Sequence, residues 1–169
     1  AVGGPVAVQL AGRQVLGAVV AGREQQAVSA PLSVDPQVLA NVISAKTNAP
    51  LFTPYTILTR TVTATTPDGK TVSAPVKIGI IGFTPPAIMN WDKRWLDGKV
   101  YTTGLKEAAE KYIPEMRAKG ADLVVAISHG GLDNSTYSPT MENGSWWLSK
   151  VTGIDAMLIG HSHQVFPDA

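Results

Sequence analysis

The chain of 169 residues contains no cysteine. That absence excludes disulfides, thiolate nucleophiles and sulfur-ligated zinc together. Any metal held here must be bound through nitrogen and oxygen. Charge is also scarce: 14 Lys and Arg stand against 13 Asp and Glu, a formal net charge of +1, and charged residues make up 16% of the chain. With no long basic run, the sequence offers no electrostatic footprint for a nucleic acid polymer or an anionic membrane surface, so neither is expected as a partner. Long apolar runs are missing as well. The stretch from Val15 to Ala21 falls well below the ~20 apolar residues of a spanning helix, and it lacks the basic start and longer apolar core of a signal peptide. No Gly-x-Gly-x-x-Gly fingerprint, P-loop or Gly-x-Ser-x-Gly elbow occurs, so cradling of a nucleotide by a glycine loop is unsupported.

What is present is globular. Hydrophobic residues make up 44% of the sequence, enough to bury a core in one domain of ordinary size. Two regions differ in character. Residues 1–36 are rich in Ala, Val, Gly and Gln, carry no aromatic residue and sustain no period; they read as an atypical leader or a loosely helical segment such as Val6 to Val20. From Gln37 onward the sequence is ordinary α/β material, and 37–169 is expected to form the domain. A short strand is expected at 38–43, with Asn41 near its end. Two β-branched stretches flank Thr66-Pro67-Asp68-Gly69-Lys70, a hairpin signal with Pro67 presetting the turn and Gly69 tolerating positive φ. Pro75 points to an edge position or to a new strand beginning at Val76. The run from Phe83 to Trp91 reads as a stiff loop around Pro85-Pro86.

Between Thr103 and Lys119, Leu105, Ala108, Ala109, Tyr112, Ile113 and Met116 recur at spacings of three and four, the pattern of an amphipathic helix that Gly120 ends. Pro114 should bend or loosen it. A buried strand at 122–127, a helix around 142–150 and a second buried strand at 154–159 complete the order. Alternation of strand and helix predicts crossover units and a largely parallel sheet.

All three histidines follow the two buried strands, in Ser128-His129-Gly130-Gly131 and Gly160-His161-Ser162-His163. Ligands of open α/β sheets bind beyond the carboxyl ends of the strands, so three neutral imidazoles are expected to converge on one edge. In an extended backbone His161 and His163 would point the same way. Imidazole suits zinc, iron and manganese, with carboxylates completing the shell. Carboxylates are few. Asp122 and Asp155 lie at strand starts and read as solvated caps; Asp133 and Asn134 read as a turn. Of Trp146 and Trp147, at least one is expected in the core, while Trp91 and Trp95 either line a substrate mouth or anchor a loop.

With these residues in place, the chain from about Val38 to Asp168 resembles the calcineurin-like metallophosphoesterases. Within them it is similar to the 5'-nucleotidase and 2',3'-cyclic-nucleotide 2'-phosphodiesterase (3'-nucleotidase) group. The resemblance rests on Leu51-Phe-Thr-Pro-Tyr55, Gly82-Phe-Thr-Pro-Pro-Ala-Ile-Met-Asn-Trp-Asp-Lys93, Lys111-Tyr-Ile-Pro-Glu-Met-Arg117, Lys119-Gly-Ala-Asp-Leu-Val-Val-Ala-Ile-Ser-His-Gly-Gly-Leu132 and Gly160-His-Ser-His-Gln-Val-Phe-Pro167. The Gly-His-x-His motif marks the broad superfamily. The Pro-Pro-x-Ile-Met-x-Trp-Asp-Lys string is narrower and favours the cyclic phosphodiesterase over the alternative, a 5'-nucleotidase or UDP-sugar hydrolase.

The resemblance implies an α/β domain of layered α/β/β/α-like form, present here as its C-terminal portion with a β-hairpin insertion at about 55–75. It implies a periplasmic or cell-surface hydrolase with two divalent ions, such as Zn, Mn or Co, acting on 2',3'-cyclic nucleotides and 3'-nucleotides. By the family pattern His129 and His161 ligate one ion and His163 the other. The family's Asp-x-His motif, bridging Asp and Asn-His pair lie upstream of the matched region, and its substrate-binding domain lies downstream. No residue of this chain is assigned a catalytic role, the substrate-binding residues stay open, and little activity is expected of the chain alone. Residues 1–36 stand where the end of the upstream half belongs and do not resemble it. Either they come from an incorrect reading frame, which their composition favours, or the chain is a divergent, non-catalytic domain that has lost its metal centre.

Overall fold

The computed structural model describes residues 7–10, 13–16 and 37–163. In the N-terminal segment, β1 (Ala7–Leu10) and β2 (Arg13–Leu16) pair antiparallel. This replaces the loose helix expected over that stretch; the other residues before Gln37 lie outside the described ones.

The β-branched stretches on either side of Thr66 fold back as β4 (Tyr55–Thr65) and β5 (Thr71–Phe83), following a short β3 (Val42–Ser44). β3 begins four residues later than the sequence pattern suggested, although Val38 does bridge to Thr53. The hairpin turn closes as its chemistry demands. Gly69 takes φ +80°, its N–H donates to the Thr66 carbonyl at 2.9 Å, and the Thr66 N–H donates to Lys70 at 2.8 Å. β4 and β5 pair in register from Tyr55–Ile81 to Thr65–Thr71. β5 meets its second neighbour only from Ile78 onward. Pro75 therefore lies where the strand has β4 alone beside it, which is how a residue without an N–H is accommodated.

Beyond β5 the loop expected over 83–91 ends in two single-turn helices, α1 (Ile88–Trp91) and α2 (Lys93–Leu96). A short β6 (Val100–Thr102) then pairs antiparallel with β3. The amphipathic stretch forms α3 (Leu105–Ala118), stopped by Gly120 at φ +87°. It continues through Pro114, which faces solvent. β7 (Leu123–Ser128) and β8 (Ala156–Ile159) complete a sheet of order β4-β5-β7-β8, parallel except for β4 at the edge. Between them α4 (Ser145–Leu148) is one turn, shorter than the helix expected over 142–150.

The register decides which face packs. Ile81, Phe83, Val124 and Ala126 lie on one face and join Leu105, Ala109, Ile113 and Met116 of α3 in the core. Gly79 makes the approach possible, since a Cβ there would sit 2.5 Å from Met116 Cε. On the opposite parity Ile80 is buried, whereas Leu58, Ile78, Val125, Ile127 and Leu158 are only half-buried. Two side-chain clamps fix α3 against the sheet. Tyr55 Oη donates to Glu115 Oε1 at 2.6 Å and accepts from Lys119 Nζ at 2.7 Å. Arg117 donates to the carbonyls of Ala121, Asp122 and Gly153 and to Asp155 Oδ2.

Asp122 and Asp155 are exposed caps at strand starts, as expected, and each also reaches a neighbouring strand or side chain. Asp122 Oδ2 accepts the Lys77 N–H at 2.8 Å and Asp155 Oδ2 accepts the Val124 N–H at 2.6 Å, each stitching a strand start to its neighbour. At the other end of the sheet a buried amide does the same work. Asn41 is fully buried and donates to the carbonyls of Thr84 and Thr103 while accepting the Thr84 N–H. This fixes the chain as it leaves β5.

Candidate metal centre

β5, β7 and β8 run parallel, so their carboxyl ends share one edge, and two of the three histidines emerge there from adjacent strands. The His129 N–H donates to the Phe83 carbonyl at 3.1 Å, continuing the β5–β7 ladder one residue past Ser128. Ser128 pairs with Ile159, the last residue of β8. His129 and His161 consequently meet, with ring centroids 5.0 Å apart and planes at 57°. Partial burial, and then the nearby imidazoles of His161 and His163, hold His129 below its ordinary 6.5. The ring is accordingly neutral near pH 7, the form that binds metals.

The Gly160-His161-Ser162-His163 segment is not extended. His161 has φ +77° and His163 φ +57°, and the Ser162 N–H donates to the Gly160 carbonyl at 3.0 Å. That i to i+2 bond with a positive φ at its centre is the strained form of γ-turn. Two histidines in the left-handed region cost about 1–3 kcal/mol each. Alternation along a strand is therefore not what presents these rings. A tight turn does, and its strain sits on the residues with the most useful chemistry.

Three features support His161. Trp91, about half exposed, stacks on its ring at 5.3 Å with planes 23° apart. His129 lies beside it as well, at a steeper angle. Glu142 Oε1 contacts His161 Nε2 at 2.6 Å. The segment carrying Glu142 is in turn pinned to the loop after His129: Asn143 Oδ1 accepts the Gly131 N–H at 2.9 Å, and the buried Ser145 Oγ donates to the Gly130 carbonyl at 2.7 Å. Gly131 is required at this crossing, because a Cβ would lie 2.8 Å from both Asn143 Oδ1 and Ser162 Cβ.

Glu142 is the site residue that sequence reading missed. It lies 19 positions before His161 in what looked like the start of a helix, and no spacing rule links them. Trp91 stood among the candidates, and its place beside His161 favours a wall of the site over a mere loop anchor. Asp133 forms the expected turn, its Oδ1 accepting the Ser135 N–H at 2.9 Å. Neither Trp146 nor Trp147 enters the core, where Ser145 and Leu148 are buried instead. Trp147 packs on Tyr137 and donates to the Ser135 carbonyl; Trp146 lies under Lys150.

The donor set can be tested for its fit to a metal. Two imidazoles bound to one ion at about 2.1 Å and a tetrahedral angle place their ring centroids roughly 5 Å apart. The His129–His161 pair has that separation. Among the described residues, however, no group of three or more His, Cys, Asp or Glu is gathered closely enough to hold an ion unaided. The two imidazoles thus have a separation that a shared ion would accept, with the remaining donors not gathered around them. A shallow cavity of about 190 Å³ against α3, lined by Ala40, Ile43, Thr103 and Tyr112 among others, shares no residue with this cluster.

No family model matches the chain. Individual proteins do. It is 50% identical over 132 residues to the "2',3'-cyclic-nucleotide 2'-phosphodiesterase/3'-nucleotidase" of Salmonella typhimurium, a match covering 78% of this chain and 20% of that protein. The Haemophilus influenzae protein of the same name is 46% identical over 133 residues, covering 79% and 20%. The crystal structure of the calcineurin-like phosphoesterase YfkN from Bacillus subtilis superposes with a TM-score of 0.71 at 39% identity, over 79% of this chain and 39% of that one. This chain is part of a calcineurin-like phosphoesterase domain. It belongs to a hydrolase family, and its mixed α/β fold is the family's. It spans about a fifth of the length of the curated relatives it matches.

Proposed function

We propose that this chain forms the histidine-bearing half of a dinuclear metal centre that hydrolyses phosphoesters of nucleotides. The most specific reading is a 2',3'-cyclic-nucleotide 2'-phosphodiesterase and 3'-nucleotidase. The observation that carries it is the sequence identity of about one half to proteins of that name over 132 residues. The convergence of His129 and His161 at a separation suited to one shared ion supports it.

In this reading His129 and His161 bind one divalent ion and His163 the other. Such ions would supply Lewis acidity toward a phosphoryl oxygen and would acidify a bound water so that it gives up a proton near neutral pH and becomes the nucleophile. The chain's own residues do the placing. The Phe83–His129 backbone bond sets the first imidazole at the strand edge, and the turn at Gly160 brings the second beside it. Trp91 shields one face of His161 from water. The carboxylates of the centre belong, in this reading, to the larger part of the polypeptide, as does the periplasmic or cell-surface address. The isolated chain then has little activity.

A chimera provides the test. The matched 132 residues of this chain replace their counterparts in the Salmonella typhimurium enzyme, and hydrolysis of 2',3'-cyclic AMP and 3'-AMP is measured with added Mn²⁺ or Co²⁺. Turnover within about tenfold of the parent is expected, lost on His161→Ala. A folded chimera without turnover, or one that cleaves 5'-nucleotides in preference, refutes the assignment.

A further inference from the structure

We infer that Glu142 is a positioning residue: its carboxylate holds the proton of His161 on Nε2, leaving the lone pair on Nδ1 for the ion. The inference rests on reading His161 as a metal ligand. An ionised carboxylate has only acceptor sites, so the proton in the 2.6 Å contact between Glu142 Oε1 and His161 Nε2 must come from the imidazole. A neutral imidazole carries one proton, and fixing it on one nitrogen fixes the acceptor on the other. Carboxylate contacts of this kind orient a ligating ring and raise its basicity.

The surroundings make this contact more than a chance surface pairing. Glu142 does not swing on a free loop. Its neighbours Asn143 and Ser145 are bound to the peptides of Gly131 and Gly130, directly after His129, and the Ser145 N–H also donates to the Gly131 carbonyl. Glu142 is therefore placed by the strand end that presents one imidazole and acts on the other. Trp91 stacked on the His161 ring limits its tilt. Together these contacts restrict ring flip and tautomer at once, before any ion arrives.

The test uses the 169-residue chain, stripped of metal, with ¹⁵N-labelled histidine. Long-range ¹H–¹⁵N spectra at pH 8 report which ring nitrogen carries the proton. His161 should be the Nε2–H tautomer in the wild type and in Glu142→Gln, whose amide oxygen still accepts, and a mixture in Glu142→Ala. Co²⁺ titration followed by visible absorption should show affinity falling about 10–100-fold in Glu142→Ala and by less in Glu142→Gln. Glu142 is exposed, so both variants should fold. An Nδ1–H tautomer in the wild type, an unchanged tautomer in Glu142→Ala, or equal or tighter Co²⁺ binding by that variant overturns the inference. Co²⁺ binding that is unchanged in His161→Ala refutes the ligand reading beneath it, while the tautomer spectra still decide what Glu142 does to His161.

Discussion

Replacing Asn41 by Ala removes the clamp that holds the chain as it leaves β5, and the structure sets the cost. Three hydrogen bonds disappear: the Asn41 amide to the Thr84 carbonyl at 2.8 Å, to the Thr103 carbonyl at 3.1 Å, and the Thr84 N–H to the amide oxygen at 3.0 Å. Both Thr84 groups are buried, so water does not replace the lost partner. Each buried group left unsatisfied costs about 1–3 kcal/mol, and the Thr103 carbonyl adds a smaller amount because its bond is only part-buried. A total of about 3–5 kcal/mol is expected, a large share of the ~5–15 kcal/mol by which a domain is stable. Urea denaturation followed by tryptophan fluorescence measures it, with trimethylamine N-oxide added equally to both proteins so that the variant keeps a native baseline. Asn41→Asp should be no better at neutral pH, since a carboxylate facing two carbonyls repels both. Lowering the pH should narrow its gap to the wild type as protonation restores one donor. A loss below 1 kcal/mol for Asn41→Ala would refute the assignment of this amide as the clamp.

The remaining predictions concern strain, pH and the metal. His161→Gly should be more stable than His161→Ala by about 1–2 kcal/mol, because both lose the same contacts and only glycine accepts φ +77° freely; equal denaturation midpoints would remove the strain argument. Asp155 is held below its ordinary 3.8 chiefly by the Val124 N–H and also by Arg117. Its contribution is complete above the unfolded value and lost as pH falls through the lower folded one. Wild-type stability should thus drop more steeply than that of Asp155→Asn in titrations below about pH 4, and parallel curves would contradict this. Zn²⁺ binding by the chain, measured calorimetrically, should weaken as pH falls through the imidazole range and should be lost in the His129→Ala, His161→Ala double variant; retention of wild-type affinity there would discard the ligand pair. Gly131→Ala should weaken the same binding and reduce stability by about 1–3 kcal/mol through overpacking at the Ser162 crossing, whereas an unchanged denaturation midpoint would show that the crossing yields.

Sequence pattern reached different parts of the molecule to different depths. α3 was legible almost to the residue, because six apolar positions at helical spacing admit one face and Gly120 supplies a terminus. The hairpin was legible because Pro67 and Gly69 each satisfy a separate requirement of the turn. Short elements were not. α1, α2 and α4 are single turns whose residues are set by tertiary contacts such as Ser145 with Gly130, and no period can emerge over four positions. At the site, the strand ends were readable from the apolar runs before His129 and His161. The γ-turn was not, since even among histidines positive φ is the exception and no glycine marks the centre of the turn. Glu142 was invisible for a related reason: its role arises from folding 19 residues back onto a strand end, a through-space relation with no sequence period.

What positions the imidazoles is therefore separable from what would complete their chemistry. His129 is held by the β5–β7 ladder, His161 by a strained turn with Trp91 and Glu142 against its ring, and the end of β7 by the Asn143 and Ser145 contacts. Each of these lies within the described residues. A ligand pair supported in this way has already met the orientational cost that a flexible pair meets on binding, so its affinity for one ion should depend mainly on how few donors it has. On the proposed function, a carboxylate supplied from another segment would add charge to a geometry already set. In that arrangement substitutions at Trp91 and Glu142 act on affinity through His161, whereas substitutions in the segment that supplies the carboxylate act on whether a second ion can be held at all.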